Sequence, residues 1–178
     1  LVTGWAEFQD AKTVKVGEGK DAIIIQADNV ILANGSVPIE LPFMKYGNNV
    51  ISSREALQLQ EKPDHVVVIG GGYIGLEFGI TYKMLGSEVT SIEAMDSVLP
   101  IFDKELRRPL ERHLKKSKVN VHLGVFAKGV EDQKDGKTKV NFIDKNEKDE
   151  SKMQSIIADK VLVTVGRKPN SECLAPTG

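Results

Sequence analysis

Hydrophobic and polar positions along this chain follow two regimes that meet at His65. Before it, apolar residues come in short runs broken by glycine, lysine and proline. "TVKV" and "AIIIQA" predict two strands joined across "GEGK", a hairpin connection. "VILANGS" predicts a third short strand ending at Asn34-Gly35, a strong turn dipeptide. Pro38 and Pro42 then punctuate an irregular linker, and Ser52 or Ser53 is placed to cap a short helix, "REALQLQ", with Glu55 in its first turn.

From His65 strand and helix patterns alternate. Residues 66–69 form a continuous apolar run of strand type, and 73–85 predict a helix stopped by Gly86. Residues 89–93 read as a second strand. Residues 103–116 predict an amphipathic helix with Leu106, Leu110 and Leu114 on one stripe. Pro109 removes one backbone donor from that helix and predicts a kink. Residues 119–123 complete a β-α-β-α-β order, which argues for a parallel sheet with crossover helices. The helical period then stops. Residues 128–131 and 137–143 flank Asp135-Gly136, a hairpin turn, and "DKNEKDESK" reads as a solvated hairpin tip. Residues 161–165 return as an apolar strand ending at Gly166. The expected fold is α/β and Rossmann-like: a three-layer arrangement of parallel sheet, crossover helices and antiparallel β-meander, of the kind that binds FAD or NAD(P).

Composition narrows the classes. The 178 residues are 40% apolar and 28% charged with a net charge of -1, an ordinary globular balance that gives no reason to expect nucleic acid or an anionic membrane as partner. No apolar run approaches the ~20 residues of a membrane span, and no signal peptide is visible. A single cysteine, Cys173, allows neither an internal disulfide nor a thiolate zinc cluster, which fits a reducing compartment and a cytoplasmic location. His65, His113 and His122 have no metal-ligand spacing, and no metal site is expected. The chain opens on Leu1 rather than methionine and reads as a piece excised from a larger protein.

The candidate chemistry sits at the corner between the first apolar strand and its helix, where Gly70, Gly72 and Gly75 spell G-x-G-x-x-G. Gly70 permits the tight turn, Gly72 admits a pyrophosphate against the backbone, and Gly75 lets helix and strand pack closely. The helix N-terminus at Tyr73 offers unpaired N–H groups and partial positive charge to phosphates. Glu93 closes the second strand, near the ~20-residue distance expected of a ribose-binding carboxylate. Ala94 and Met95 follow it and supply no cation for a 2′-phosphate. These features together predict a dinucleotide at this corner; spacing does not separate FAD from NAD.

"ILANGSVPIELP", "VVVIGGGYIGLEFG", "VTSIEAMDSVLPIFD" and "VLVTVGRKPN" resemble, in order and spacing, segments of the flavoprotein disulfide reductases, and within them the dihydrolipoamide dehydrogenase branch of the bacterial 2-oxoacid dehydrogenase complexes. The resemblance implies NAD on the glycine corner: Gly70, Gly71, Gly72, Tyr73, Ile74, Gly75, Leu76 and Glu77 fall on the family's pyrophosphate loop and first helical turn, and Glu93 on its ribose acid. Ala127 falls where the family backbone borders adenine, and Gly166 where it passes the nicotinamide. Tyr73 aligns with a residue that covers the flavin in some members, and Glu77 with a carboxylate that pairs with a lysine outside this chain. Asn34, Gly35 and Ser36 fall on a turn that touches FAD, with asparagine where the family usually has threonine. The same resemblance implies partial FAD-domain strands at 1–36, a linker with a short helix at 37–63, an NAD-binding domain at 64–169 and a connection back toward the FAD domain at 170–178.

The whole protein so implied is a homodimeric oxidoreductase that uses NAD and FAD and acts on a lipoyl-bearing protein. An NADH peroxidase or another reductase of the family, and a non-catalytic NAD-binding module, stand as alternatives. The family's redox cysteine pair, its amino-terminal flavin loop and its carboxy-terminal His–Glu pair have no counterpart in these residues, so no catalytic residue is assigned and the chain by itself is expected to be inactive.

Overall fold

The computed structural model describes residues 1–171, so Cys173 lies outside the described residues. The described chain divides into two compact units, one formed by residues 1–37 with residues 168–171, the other by residues 38–167.

In the first unit, β1 (Ala6–Phe8), β2 (Thr13–Val16) and β3 (Ile23–Gln26) make an antiparallel meander in that order, with Val16 opposite Ala6 and Ile23. The connection read at "GEGK" is a left-handed Gly17 (φ +88°) followed by a single 3₁₀ turn. Residues 30–35 differ from the expectation of a third strand. Ile31 is 92% exposed, and β4 (Ser36–Pro38) begins only after Gly35 has turned the chain at φ +69°. Apolar character alone did not make that run a strand, and the extended pairing begins on the far side of the turn.

The larger unit holds β5 (Val50–Ile51), α1 (Ser53–Ala56), β6 (His65–Ile69), α2 (Tyr73–Met84), β7 (Glu88–Glu93), α3 (Lys104–Lys116), β8 (Asn120–Leu123), β9 (Val125–Asp132), β10 (Thr138–Asp144), β11 (Gln154–Ala158) and β12 (Lys160–Val163); β13 (Arg167–Pro169) follows at its boundary. Five strands form a parallel sheet in the order β5-β12-β6-β7-β8. β9, β10 and β11 form a separate antiparallel sheet. β6 is the central strand, so every one of Val66–Ile69 is buried, and its two faces serve two cores. Val66 and Val68 pack with Leu76, Tyr82, Val89 and Leu114 on the helical side. Val67 and Ile69 pack with Val140, Phe142 and Ala158 of the meander. Side chains alternate along a strand, so four consecutive apolar residues supply both layers; each buried side chain contributes roughly 1.5–3 kcal/mol. The expected three-layer α/β fold is the observed one.

Local differences have local causes. Ser52 is the cap of α1, with its hydroxyl accepting from Arg54 N at 3.1 Å and Glu55 reaching back to Ser52 N at 2.9 Å, but the helix ends at Ala56. α3 continues through Pro109 to Lys116. Of its leucine stripe, Leu114 is buried, Leu110 is partly so, and Leu106 is 67% exposed. A four-residue spacing drifts about 40° per step on a 3.6-residue helix, so the first member is turned off the core face. β5 lies in the stretch read as a linker and extends the sheet by pairing with β12.

Candidate functional site

The carboxyl ends of β12, β6 and β7 open on one cavity of about 590 Å³. That is where the chain, having built the sheet from β6 through β7 to β8, returns to the other side of β6 as β12. Such a reversal leaves a crevice beyond the strand ends that no crossover covers. Gly70, Gly72, Tyr73 and Ile74 line it from the β6–α2 corner, Glu93 and Ala94 from the end of β7, and Thr164 to Arg167 from the end of β12. Phe126 and Ala127 of β9, Leu99 to Ile101 of the β7–α3 loop and Leu41 and Phe43 add to its walls.

Each corner glycine has a separate physical reason. Gly70 sits at φ +104°, and a Cβ there would stand 2.8 Å from the Thr164 carbonyl oxygen. A Cβ on Gly75 would stand 2.3 Å from the Gly70 carbonyl oxygen, closer than any side chain tolerates. Gly72 is the opposite case. It caps α2 with ordinary extended backbone and has nothing within 4 Å of its Cβ position, so the space beside it belongs to the cavity. No side chain caps α2 and its first turn carries no acid, which leaves the positive end of that helix facing the same space.

Glu93 is 8% exposed and held at both oxygens: Gly71 N donates to Oε2 at 2.5 Å and Met95 N to Oε1 at 2.7 Å. Two backbone donors fix the carboxylate and occupy two of its roughly four acceptor positions. The Gly71 carbonyl in turn accepts from Leu99 N at 2.9 Å. Leu99 adopts φ +46°, a conformation unusual for leucine, at the cavity wall.

Of the residues singled out from sequence, Gly70, Gly72, Tyr73, Ile74, Glu93, Ala127 and Gly166 line this cavity. Gly71, Gly75 and Leu76 lie behind it: Gly71 orients Glu93, Gly75 seats α2 on the sheet, and Leu76 belongs to the core. Glu77 is exposed on α2 and does not line it. Asn34, Gly35 and Ser36 lie in the other unit, where Asn170 N donates to the Gly35 carbonyl at 3.0 Å. Sequence reasoning passed over Leu99, Phe126 and Thr164. Only a non-glycine residue at positive φ or a hydroxyl closing an apolar strand sets them apart, and neither is legible without backbone geometry. Among the described residues no helix is long and apolar enough to cross a membrane, and no three His, Cys, Asp or Glu side chains group as a metal site.

The family profile described as "Pyridine nucleotide-disulphide oxidoreductase" matches residues 1–178. The chain belongs to that family. Among curated members, the dihydrolipoyl dehydrogenase of Bacillus subtilis (strain 168) is 43% identical over 173 residues, covering 97% of this chain and 36% of the relative. LpdA from Mycobacterium tuberculosis shares the fold of this pyridine nucleotide-disulphide oxidoreductase chain with a TM-score of 0.84 at 25% identity, covering 98% of this chain and 38% of that one. A NAD-dependent persulfide reductase from A. fulgidus is similar with a TM-score of 0.74 at 30% identity, over 96% of this chain and 32% of that one. The chain therefore spans about a third of the length of its relatives.

Proposed function

We propose that this chain is the NAD-binding region of a dihydrolipoamide dehydrogenase. The observation that carries the nucleotide assignment is the pairing, on one cavity, of the bare N-terminus of α2 at Gly72 with a Glu93 carboxylate oriented by two backbone donors. The N–H groups of the first turn of α2 hold the pyrophosphate, with Gly72 leaving room for it against the backbone. Glu93 accepts the adenosine ribose hydroxyls and repels a 2′-phosphate. Ala127 borders the adenine, Gly166 and its neighbours at the end of β12 border the nicotinamide, and Tyr73 stands at the mouth. Bound NAD supplies the hydride-accepting ring; these residues bind and orient it.

The 43% identity to a dihydrolipoyl dehydrogenase supports the dehydrogenase reading, and the NAD dependence of the similar persulfide reductase supports NAD as the nucleotide. In the whole protein the substrate is a lipoyl-bearing protein, FAD relays the electrons, and the protein is a cytoplasmic homodimer. Residues 1–36 belong to the flavin domain, a reading supported by β3, which leaves Ile23, Ile24 and Ile25 exposed, and the Asn34–Gly35–Ser36 turn contacts FAD there. One cysteine in 178 residues cannot close an intramolecular disulfide, so this chain alone turns over no lipoamide.

Titration of the chain with NADH and NADPH tests the assignment. NADH is expected to bind at least about tenfold more tightly, the equivalent of about 1.4 kcal/mol. Equal or tighter binding of NADPH overturns the role of Glu93.

A further inference from the structure

Thr164 stands one residue beyond β12, and three features converge on it. Its N–H donates to the Ile69 carbonyl at 2.8 Å, continuing the β12–β6 pairing past the last rung of the strand. Its hydroxyl lies 3.0 Å from that same carbonyl and 3.2 Å from the carbonyl of Gly70, within reach of both. The space it occupies is the space the glycines leave: a Cβ on Gly75 would stand 2.5 Å from Thr164 Oγ1.

We infer that Thr164 is a positioning residue whose hydroxyl clamps the Ile69–Gly70 peptide, and through it the glycine turn that carries Gly71, Gly72 and the start of α2. The third glycine of the motif is needed here for more than helix–strand contact. It makes room for a hydroxyl from a strand far away in sequence, and that hydroxyl ties the turn to the sheet. Gly71 N, which orients Glu93, and Gly72, which faces the cavity, both sit within three residues of the clamped Ile69 carbonyl. Loosening the clamp therefore disturbs the pyrophosphate end and the ribose end together. Valine has the shape of threonine without the donor, whereas serine keeps the donor without the methyl group. The two substitutions separate hydrogen bonding from packing.

The effect on the turn stands by itself, and the effect on ligand affinity rests on the NAD reading above. Native chain, Thr164→Val and Thr164→Ser are compared by amide hydrogen exchange at Gly71 and Gly72 without ligand, by NADH titration and by urea midpoint. Thr164→Val is expected to speed exchange and raise the NADH Kd by roughly three- to tenfold, the scale of one net hydrogen bond, with Thr164→Ser within about twofold of native. Should Thr164→Val fail to fold, Thr164→Ala removes the donor with less crowding and takes its place. Native-like exchange in the donor-less variant, or equal loosening in the serine variant, overturns the clamp. If the native chain binds no NADH yet exchange still separates valine from serine, the nucleotide reading falls and the clamp stands. If NADH binds natively while valine and serine behave alike, the clamp falls and the nucleotide reading stands.

Discussion

α2 and α3 are both crossover helices of one parallel sheet, yet their N-termini are built in opposite ways. α2 starts on Gly72, carries no acid in its first turn and opens on the cavity. α3 starts on Asp103, whose side chain makes no capping hydrogen bond either, but Asp103 and Glu105 place carboxylate charge at its positive end. The bodies differ too. α2 buries Gly75, Leu76, Gly79 and Tyr82 along its length, whereas α3 buries only Leu114 and exposes a charged surface. A helix terminus becomes available to a ligand where the sequence withholds the usual compensation and the neighbouring strands hold that end over a crevice. At α2 the core supplies what the missing cap does not.

The largest expected effect comes from Gly75→Val, whose side chain meets the Gly70 carbonyl and Thr164 together. Unfolding in urea should show a loss of roughly 2–3 kcal/mol, the upper range for overpacking, with NADH binding lost as well. Native-like stability would mean that α2 is not seated on this glycine. Gly72→Val should separate the two properties. Its side chain enters open space, so stability falls by at most about 1 kcal/mol, while the NADH Kd rises about a hundredfold as the pyrophosphate is displaced. A mutant that still binds NADH at native affinity removes the ligand from the α2 terminus.

Glu93→Ala should weaken NADH by about 2 kcal/mol and leave Gly71 N and Met95 N without their acceptor, and the preference over NADPH should shrink in the same titrations. Gly79→Ala runs the other way. Its Cβ would meet Val89 at 3.4 Å, an ordinary contact, so calorimetry should show a gain of roughly 0.5–1 kcal/mol from helix propensity with NADH affinity unchanged. The smallest effect belongs to α3. Glu105→Gln should cost about 0.3–0.5 kcal/mol by weakening one favourable charge at an exposed terminus, and NADH titration should not move. A change in NADH affinity there would show that the two helix ends are coupled.

Much of this molecule is legible one segment at a time. Gly86 stops α2 as expected, at φ +93°, with Ser87 N returning to the Tyr82 carbonyl at 2.9 Å. The end of α3 uses the same return, Val119 N to the Leu114 carbonyl at 3.0 Å, but places Lys118 at φ +57° where glycine would be expected, and no residue type signalled it. β5 escaped notice because two residues show no period; its partner β12 defines it as a strand. β11 was hidden beside a charged tip, and its pairing with β10 makes it a strand although Gln154 and Ser155 are polar. Ala127 shows the same limit inside the site. β9 carries an irregularity there, with Phe142 opposite Ala127 and Asn141 opposite Gly129, so residue 128 has no partner and the register leading into the cavity wall shifts.

By itself, the sequence determined the existence and order of the βαβ elements, the glycine corner, the acid at the end of β7 and the stop of α2. All of these depend on residues within one turn or one strand of each other, where sterics and hydrogen-bonding capacity are local. Tertiary structure alone decided that β12 returns beside β6, that Thr164 meets the carbonyls of Ile69 and Gly70, and that Leu99 and Phe126 face the same space as Gly72. Those neighbours are brought together by strand order and by the two-sided burial of β6. Such contacts form only when layers from distant parts of the chain close on a shared core, and no local pattern encodes which distant residue fills the gap a glycine leaves.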